Sequence, residues 1–241
     1  MSQPEPKTET SPYFDLAEKQ KVKIDFQPFI HVEGVDAAEF RKQKVTMLDH
    51  TAVILTSRNA VDHFFRMAEE CRFSVPDSMK YFCMSEAIAY YLQKYVVYRK
   101  RKIYFGKQTF SDLMDLIKKH KSETFLLPSS DILKPEIPSL LDKGAINYNR
   151  AIIYRTVCSD LSHLEDVFYD ILVFFSPSGI QSLLMNFPEF EQNDTRLAAF
   201  GSTTAKAVKD AGLRLDIEAP TALAPSMTMA LEQYIKKANK R

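Results

Sequence analysis

The 241-residue sequence has no tryptophan, six glycines, three cysteines, no excess of charge of one sign and no long apolar run. Each shortage closes off a class of protein. Cys71, Cys83 and Cys158 are odd in number and widely spaced, which argues against a disulfide framework and leaves buried thiols on apolar faces as the simplest reading. Lys and Arg total 32 against 31 Asp and Glu, so no global field draws the chain to nucleic acid, and none is expected as a partner. Arg99-Lys-Arg-Lys102 is the one dense basic run, and such a run is ordinarily a solvated face. Apolar stretches such as Leu172 to Phe175 are far too short to span a bilayer, and Met1 to Ser11 is polar and proline-bearing, without the apolar core of a signal peptide. A cytoplasmic protein without a membrane partner is expected. There is no Gly-Lys-Ser/Thr phosphate loop and no Gly-rich dinucleotide turn. The five histidines have no paired spacing with each other or with a cysteine, so no metal site is expected. Phe175-Ser-Pro-Ser-Gly179 lacks the glycine a nucleophile elbow needs two residues before Ser178, which makes hydrolase chemistry a poor fit.

What the chain does have is a repeated local grammar. Its composition, 45% hydrophobic and 26% charged, is that of an ordinary globular protein, and its length allows one large domain or two small ones. Between Asp170 and Gly212, two short apolar runs of strand length each stop at small hydroxylated residues, and a helical pattern follows at once. These units are Asp170-Ile-Leu-Val-Phe-Phe-Ser-Pro-Ser-Gly179 and Arg196-Leu-Ala-Ala-Phe-Gly-Ser-Thr-Thr-Ala205. Two such units in succession predict neighbouring parallel strands with both turns at their carboxyl ends, the edge at which open α/β sheets place ligands. The same pattern occurs at Thr51-Ala-Val-Ile-Leu-Thr56, where Thr56-Ser-Arg-Asn59 opens a helix with Val61, Phe64, Phe65 and Ala68 on one face.

Elsewhere the patterns predict a helix from Pro12 to Lys21 capped by Ser11, and an extended Lys23 to Glu33 broken by Gly34. A helix is expected from Ala37 to Leu48, a strand Lys80 to Met84 with a helix Glu86 to Lys94, and a helix Phe110 to His120 capped by Thr109 or Ser111. Phe125 to Leu127 reads as a strand, Pro135 to Lys143 as a helix closed by Gly144, Asn149 to Val157 as extended, and Leu161 to Tyr169 as a helix. A strand Leu215 to Ala219 and an amphipathic helix Ser226 to Lys237 close the chain. The expected fold class is therefore α/β: two domains with mostly parallel sheets flanked by helices, one inserted in the other. Residues 1–31 with 157–241 make the first and 32–156 the second, joined by extended crossings near Phe29 to Gly34 and Ala151 to Val157, with hinge motion expected about the crossings.

Phe174-Phe-Ser-Pro-Ser-Gly179, Ala199-Phe-Gly-Ser-Thr-Thr-Ala-Lys-Ala207, Ala219-Pro220 and Ser226-Met-Thr-Met-Ala-Leu231 occur in the order and spacing of the C-terminal half of the uroporphyrinogen-III synthase family, which this chain resembles. Weaker similarity extends through the rest, including the Thr-Ser turn at Thr56-Ser57 and a tyrosine, Tyr154, ahead of Thr156 and Val157 on the second crossing. Two departures stand out. Ser85 and Ile88 replace a glycine and a threonine of the family pattern, and Ser2-Gln-Pro4 looks like the family's first turn without the strand before it. A start inside the first element is therefore expected, leaving the first domain one strand short.

The resemblance implies dehydration and cyclisation of hydroxymethylbilane, with inversion of the last pyrrole ring, to uroporphyrinogen III in tetrapyrrole and haem biosynthesis. It implies no cofactor, a linear polycarboxylate tetrapyrrole as the small-molecule partner, and a cationic azafulvene and a spiro intermediate on the way. A monomer is expected. Hydroxyls and free N–H groups at helix N-termini suit the substrate's carboxylates, since the positive helix end points at the ligand. The candidate binding residues are Thr56, Ser57, Arg58, Ser176, Ser178, Gly201, Ser202, Thr203 and Thr204, with the C-terminal turns expected to bear more of the ligand. Each hydroxyl alone is equally explained as a helix cap. Tyr154 is the candidate proton donor or positioning group for the departing hydroxyl, although a tyrosine on a crossing can also simply pack. Because of Ser85 and Ile88, a non-catalytic tetrapyrrole- or anion-binding protein of the same fold stays open as the alternative.

Overall fold

The computed structural model of the chain describes residues 1–8 and 10–239. They form two compact units, residues 1–31 with 157–241 and residues 32–156. The first unit opens with α1 (Pro12–Gln20), where Ser11 is the N-cap, Pro12 the first helical residue and Lys21 the left-handed C-cap. The following stretch becomes regular only at β1 (Ile30–Gly34), which leads into the second unit.

In that unit α2 (Ala37–Lys42) is shorter than the helix expected from Ala37 to Leu48. Gln43 is the C-cap, still right-handed, and its amide binds both backbone groups of Ile152, donating to the carbonyl at 2.7 Å and accepting the N–H at 2.9 Å. Lys44 then takes positive φ, and only a single 3₁₀ turn, Met47–Asp49, follows. Strand and helix alternate from there: β2 (Ala52–Leu55), α3 (Arg58–Glu70), β3 (Lys80–Cys83), α4 (Glu86–Tyr91), β4 (Ile103–Phe105), α5 (Phe110–Lys118), β5 (Phe125–Ser130), α6 (Glu136–Lys143) and β6 (Tyr148–Cys158). Thr109, rather than Ser111, caps α5 through a reciprocal capping box with Asp112. Gly144 does end α6, but with negative φ. The left-handed residue is Ala145, and a Cβ at 144 would crowd the Leu140 carbonyl oxygen at 3.1 Å and displace the Met114 methyl at 2.8 Å.

The strand order is β1-β6-β5-β2-β3-β4, and β2, β3, β4, β5 and β6 pair in parallel. Because helices cover both faces, β2 reads as an unbroken apolar run: Val53 and Leu55 enter one core with Phe64 and Ile153, while Ala52 and Ile54 enter the other with Phe82, Leu113 and Phe125. Each fully buried side chain of this size contributes about 1.5–3 kcal/mol. The β5–β6 register shifts between Ser129 and Ser130, so Ser129 faces Ile152 and Ser130 faces Tyr154, and Ile153 is an extra residue in β6.

Back in the first unit, the helix expected from Leu161 to Tyr169 is only a 3₁₀ turn, Ser162–Leu164. The Leu161 N–H is taken by the Asn186 side chain at 2.9 Å, and Val167 and Phe168 lie on the surface instead of forming an inward stripe. Next come β7 (Ile171–Phe174), α7 (Pro177–Asn186), β8 (Arg196–Phe200), α8 (Ser202–Asp210), β9 (Ile217–Ala219) and α9 (Met227–Ala238). The sheet is parallel in the order β7-β8-β9, with Ile171 opposite Arg196 and Ala198 opposite Ile217. Leu172, Phe174 and Leu197 pack on one face with Leu183 and Val208; Val173, Ala198 and Ile217 pack on the other with Met227 and Leu231. Along the outer side of β7, the Ser2 N–H donates to the Val173 carbonyl at 2.9 Å, and the Met1 carbonyl accepts from Gln27. Among the described residues no helix is long and apolar enough to cross a membrane.

Candidate functional site

Each unit presents hydroxyl-bearing turns at the carboxyl edge of its sheet, and the two sets differ in what surrounds them. In the second unit β2 ends at Leu55, and Ser57 takes the extended backbone of an N-cap (φ −155°, ψ 167°), its Oγ accepting the Ala60 N–H at 3.0 Å. The same Oγ lies 3.3 Å from the phenol of Tyr154, and either hydroxyl can donate. Tyr154 reaches this position because β6 lies beside β5, and because the register shift sets it opposite Ser130.

Tyr154 is buried, and burial raises its phenol above the ordinary tyrosine value, with contacts from the Ser57 hydroxyl and the Ser130 backbone working in the other direction. The result is a neutral phenol throughout the physiological range, able to donate a proton or a hydrogen bond. Its ring is stacked on the imidazole of His63, with centroids 5.1 Å apart and planes 18° apart. Burial and the Arg66 guanidinium lower the His63 pKa, with Asp62 and Glu70 opposing.

Thr56 precedes the cap and is partly exposed. Arg58, the first residue of α3, is exposed with its guanidinium carbon 5.3 Å from the ring centre of Tyr91. That ring is fixed in turn, since both Tyr91 and Tyr95 donate to Asp62. At the turn after β3, Ser85 keeps negative φ (−144°) but makes no side-chain cap bond. Ile88 is buried in the core of the unit, so this turn presents one hydroxyl.

In the first unit Ser176 caps α7 with Oγ accepting the Gly179 N–H at 3.3 Å, and Pro177 is the first helical residue. Ser178 follows, partly exposed. Gly201 caps α8 at φ +87°, ψ 147°, a conformation nearly confined to glycine. Ser202 and Thr203 are exposed, whereas Thr204 is 1% exposed. Burial takes Thr204 off the surface its two neighbours present.

The structure thus brings Ser57 and Tyr154 together in one unit and Gly201, Ser202 and Thr203 together in one turn of the other. Two residues of the first group escaped sequence reasoning. His63 and Arg66 carry no spacing motif beyond lying three apart on α3, and their relation to Tyr154 exists only once β6 is placed against that helix.

A family profile described as HEM4, uroporphyrinogen-III synthase HemD, matches residues 11–229. No curated protein gives a significant sequence match. Among solved structures, a mutant uroporphyrinogen III synthase from the extremely thermophilic bacterium Thermus thermophilus aligns over 95% of this chain and 94% of its own, at 15% identity and TM-score 0.53. The uroporphyrinogen-III synthetase of Helicobacter pylori 26695 aligns over 88% and 92%, at 19% identity and TM-score 0.60. At these identities the two structures attest the mixed α/β fold.

Proposed function

The chain belongs to the uroporphyrinogen-III synthase family, and on that premise we propose that Tyr154 carries the chemistry of hydroxymethylbilane cyclisation while the exposed turns bind carboxylates. The observation behind this reading is the buried, neutral phenol of Tyr154 beside the Ser57 cap. Loss of water from the hydroxymethyl group needs a proton on the departing oxygen, and a phenol held above its ordinary pKa keeps that proton until it is taken. The azafulvene cation left behind then closes through the spiro centre, and the pyrroles supply the electrons, so the side chains have only to bind, orient and exclude premature closure.

Carboxylate binding falls to Thr56, Ser57 and Arg58 in the second unit and to Ser176, Ser178, Gly201, Ser202 and Thr203 in the first. Free N–H groups at the starts of α3, α7 and α8, each longer than two turns, add the positive ends of their dipoles. Arg58 can take a propionate in bidentate fashion, its Tyr91 platform limiting the side-chain freedom lost on binding. The two units act as two domains, the protein works as a cytoplasmic monomer, and no cofactor enters. A coupled assay with hydroxymethylbilane tests the reading: uroporphyrinogen III should form, with Tyr154→Phe lowering the rate more than the binding. Uroporphyrinogen I alone, at the spontaneous rate, would refute the activity. Loss of turnover in Thr56→Ala, with Ser202→Ala and Thr203→Ala unaffected, would refute the placement of the ligand on the C-terminal turns.

A further inference from the structure

Arg66, on α3, is a mostly buried side chain whose guanidinium makes four directed contacts. Its Nη2 donates to the Val35 carbonyl at 2.8 Å and to the Ile153 carbonyl at 2.9 Å, its Nε donates to His63 Nδ1 at 3.1 Å, and its Nη1 pairs with Glu70. The Ile153 carbonyl also accepts the Val35 N–H at 3.0 Å, so both of its acceptor positions are used. That carbonyl belongs to the extra residue of β6 and to the peptide whose nitrogen is that of Tyr154. Pinning it from two directions fixes the peptide plane from which the Tyr154 side chain departs. Gly34 makes room for this arrangement, since a Cβ there would stand 2.6 Å from the Arg66 guanidinium carbon.

The contact with His63 settles a second variable. A guanidinium has only N–H donors and does not lose a proton in proteins, so Nδ1 of His63 must accept, and the ring proton of the neutral imidazole must sit on Nε2. The imidazole held in this way is the one stacked face to face on Tyr154. A neutral ring there fills the space behind the phenol without offering a cation that would draw it toward phenolate.

We propose that Arg66 and His63 are positioning residues for Tyr154: the guanidinium fixes the preceding peptide and the imidazole tautomer, and the imidazole backs the phenol ring. The proposal rests on the reading of Tyr154 given above. The charged and titratable groups around the pair are Asp62 and Glu70 on the same helix and Asp131 at the end of β5, along with the hydroxyl of Ser57.

The test compares His63→Ala, His63→Phe and Arg66→Met, alone and combined with Tyr154→Phe, in protein carrying ¹³Cζ-tyrosine. The Tyr154 resonance is assigned by its absence in the Tyr154→Phe protein. His63→Ala and Arg66→Met should each lower kcat about tenfold with KM within about twofold, as expected for a misplaced catalytic group, and should change the pH at which the Tyr154 resonance titrates. His63→Phe should restore most of the rate, because a flat neutral ring again backs the phenol. Neither change should lower kcat further once Tyr154 is phenylalanine. An unaltered Tyr154 titration in both His63→Ala and Arg66→Met would overturn the proposal, as would full rate losses that persist in the Tyr154→Phe background. If Tyr154→Phe itself keeps wild-type kcat, the catalytic reading of Tyr154 fails instead, and the resonance still reports whether the pair positions the ring. Should Arg66→Met fail to fold, Gly34→Ala displaces the same guanidinium without removing it and should alter the same resonance.

Discussion

Ser57 and Ser176 begin alike. Each follows a parallel strand, each has extended backbone near φ −154° (−155° and −153°), and each accepts the N–H three residues on. Beyond that they part. Ser57 sits beside a phenol 97 residues away in sequence, buried and stacked on a histidine; Ser176 is followed by Pro177 and a turn whose neighbour, Gly201 to Thr203, lies open. The same local chemistry caps both helices, and only the tertiary partner sets one of them beside a buried phenol, the pair to which the proposed chemistry is assigned. Caps alone therefore mark where a ligand can be held, and a buried titratable neighbour marks where a bond can be broken.

The sharpest way to break this contrast is Tyr154→Phe. It should lower kcat by about 100-fold or more, the scale of general acid catalysis, with little change in KM in the hydroxymethylbilane assay. Because burial holds the phenol above its usual 10.0, the limb of the pH–rate profile due to Tyr154 should fall only above that value. Gly201→Ala comes next. No described residue lies within 4 Å of the added methyl, so its stability cost is backbone strain, about 1–3 kcal/mol, read as a lower Tm at unchanged kcat.

Ser57→Ala and Ser176→Ala form a matched pair. Both should lose about 1 kcal/mol of stability through a missing cap, lowering Tm by about 2–4 °C, but only Ser57→Ala should also lower kcat. Equal kcat for the two would remove the distinction drawn here. The smallest effects belong to Ser202→Ala and Thr203→Ala, each raising KM by up to about tenfold, the worth of one neutral hydrogen bond, at unchanged kcat.

What the sequence made legible follows the same division. The caps at Ser11 and Ser176 and the parallel β7–β8 pair could be read directly, because a hydroxyl, a proline and an apolar run act within a few residues of one another, while the cap of α5 narrows to Thr109 or Ser111. The helix beyond Lys42 could not, since Gln43 answers to a backbone 109 residues away. Nor could the single 3₁₀ turn after Leu161, where the apolar Val167 and Phe168 end on the surface. The short β4 gave no alternation over its three residues to distinguish it from the basic run before it. Of the residues in the proposed site, Ser57 and Tyr154 could be named one at a time from the sequence, while the contacts of His63 and Arg66 with them could not. A histidine three residues before an arginine means nothing until the strand they brace is in place. That Thr204 is buried beside the exposed Ser202 and Thr203 was not legible, because a hydroxyl-rich string does not reveal which of its members faces inward.

The extra residue in β6 has one more consequence. Strand side chains alternate between faces, so a strand that buries Ala151 and Ile153 should turn Tyr154 the other way. It does not: all three join the same core, at 0%, 0% and 7% exposure, because the strand changes phase at the shift opposite Ser129 and Ser130. The phase change therefore decides the side on which the phenol stands: with every residue kept but the strand running without the shift, the same tyrosine would lie on the opposite side of the sheet from Ala151, away from Ser57.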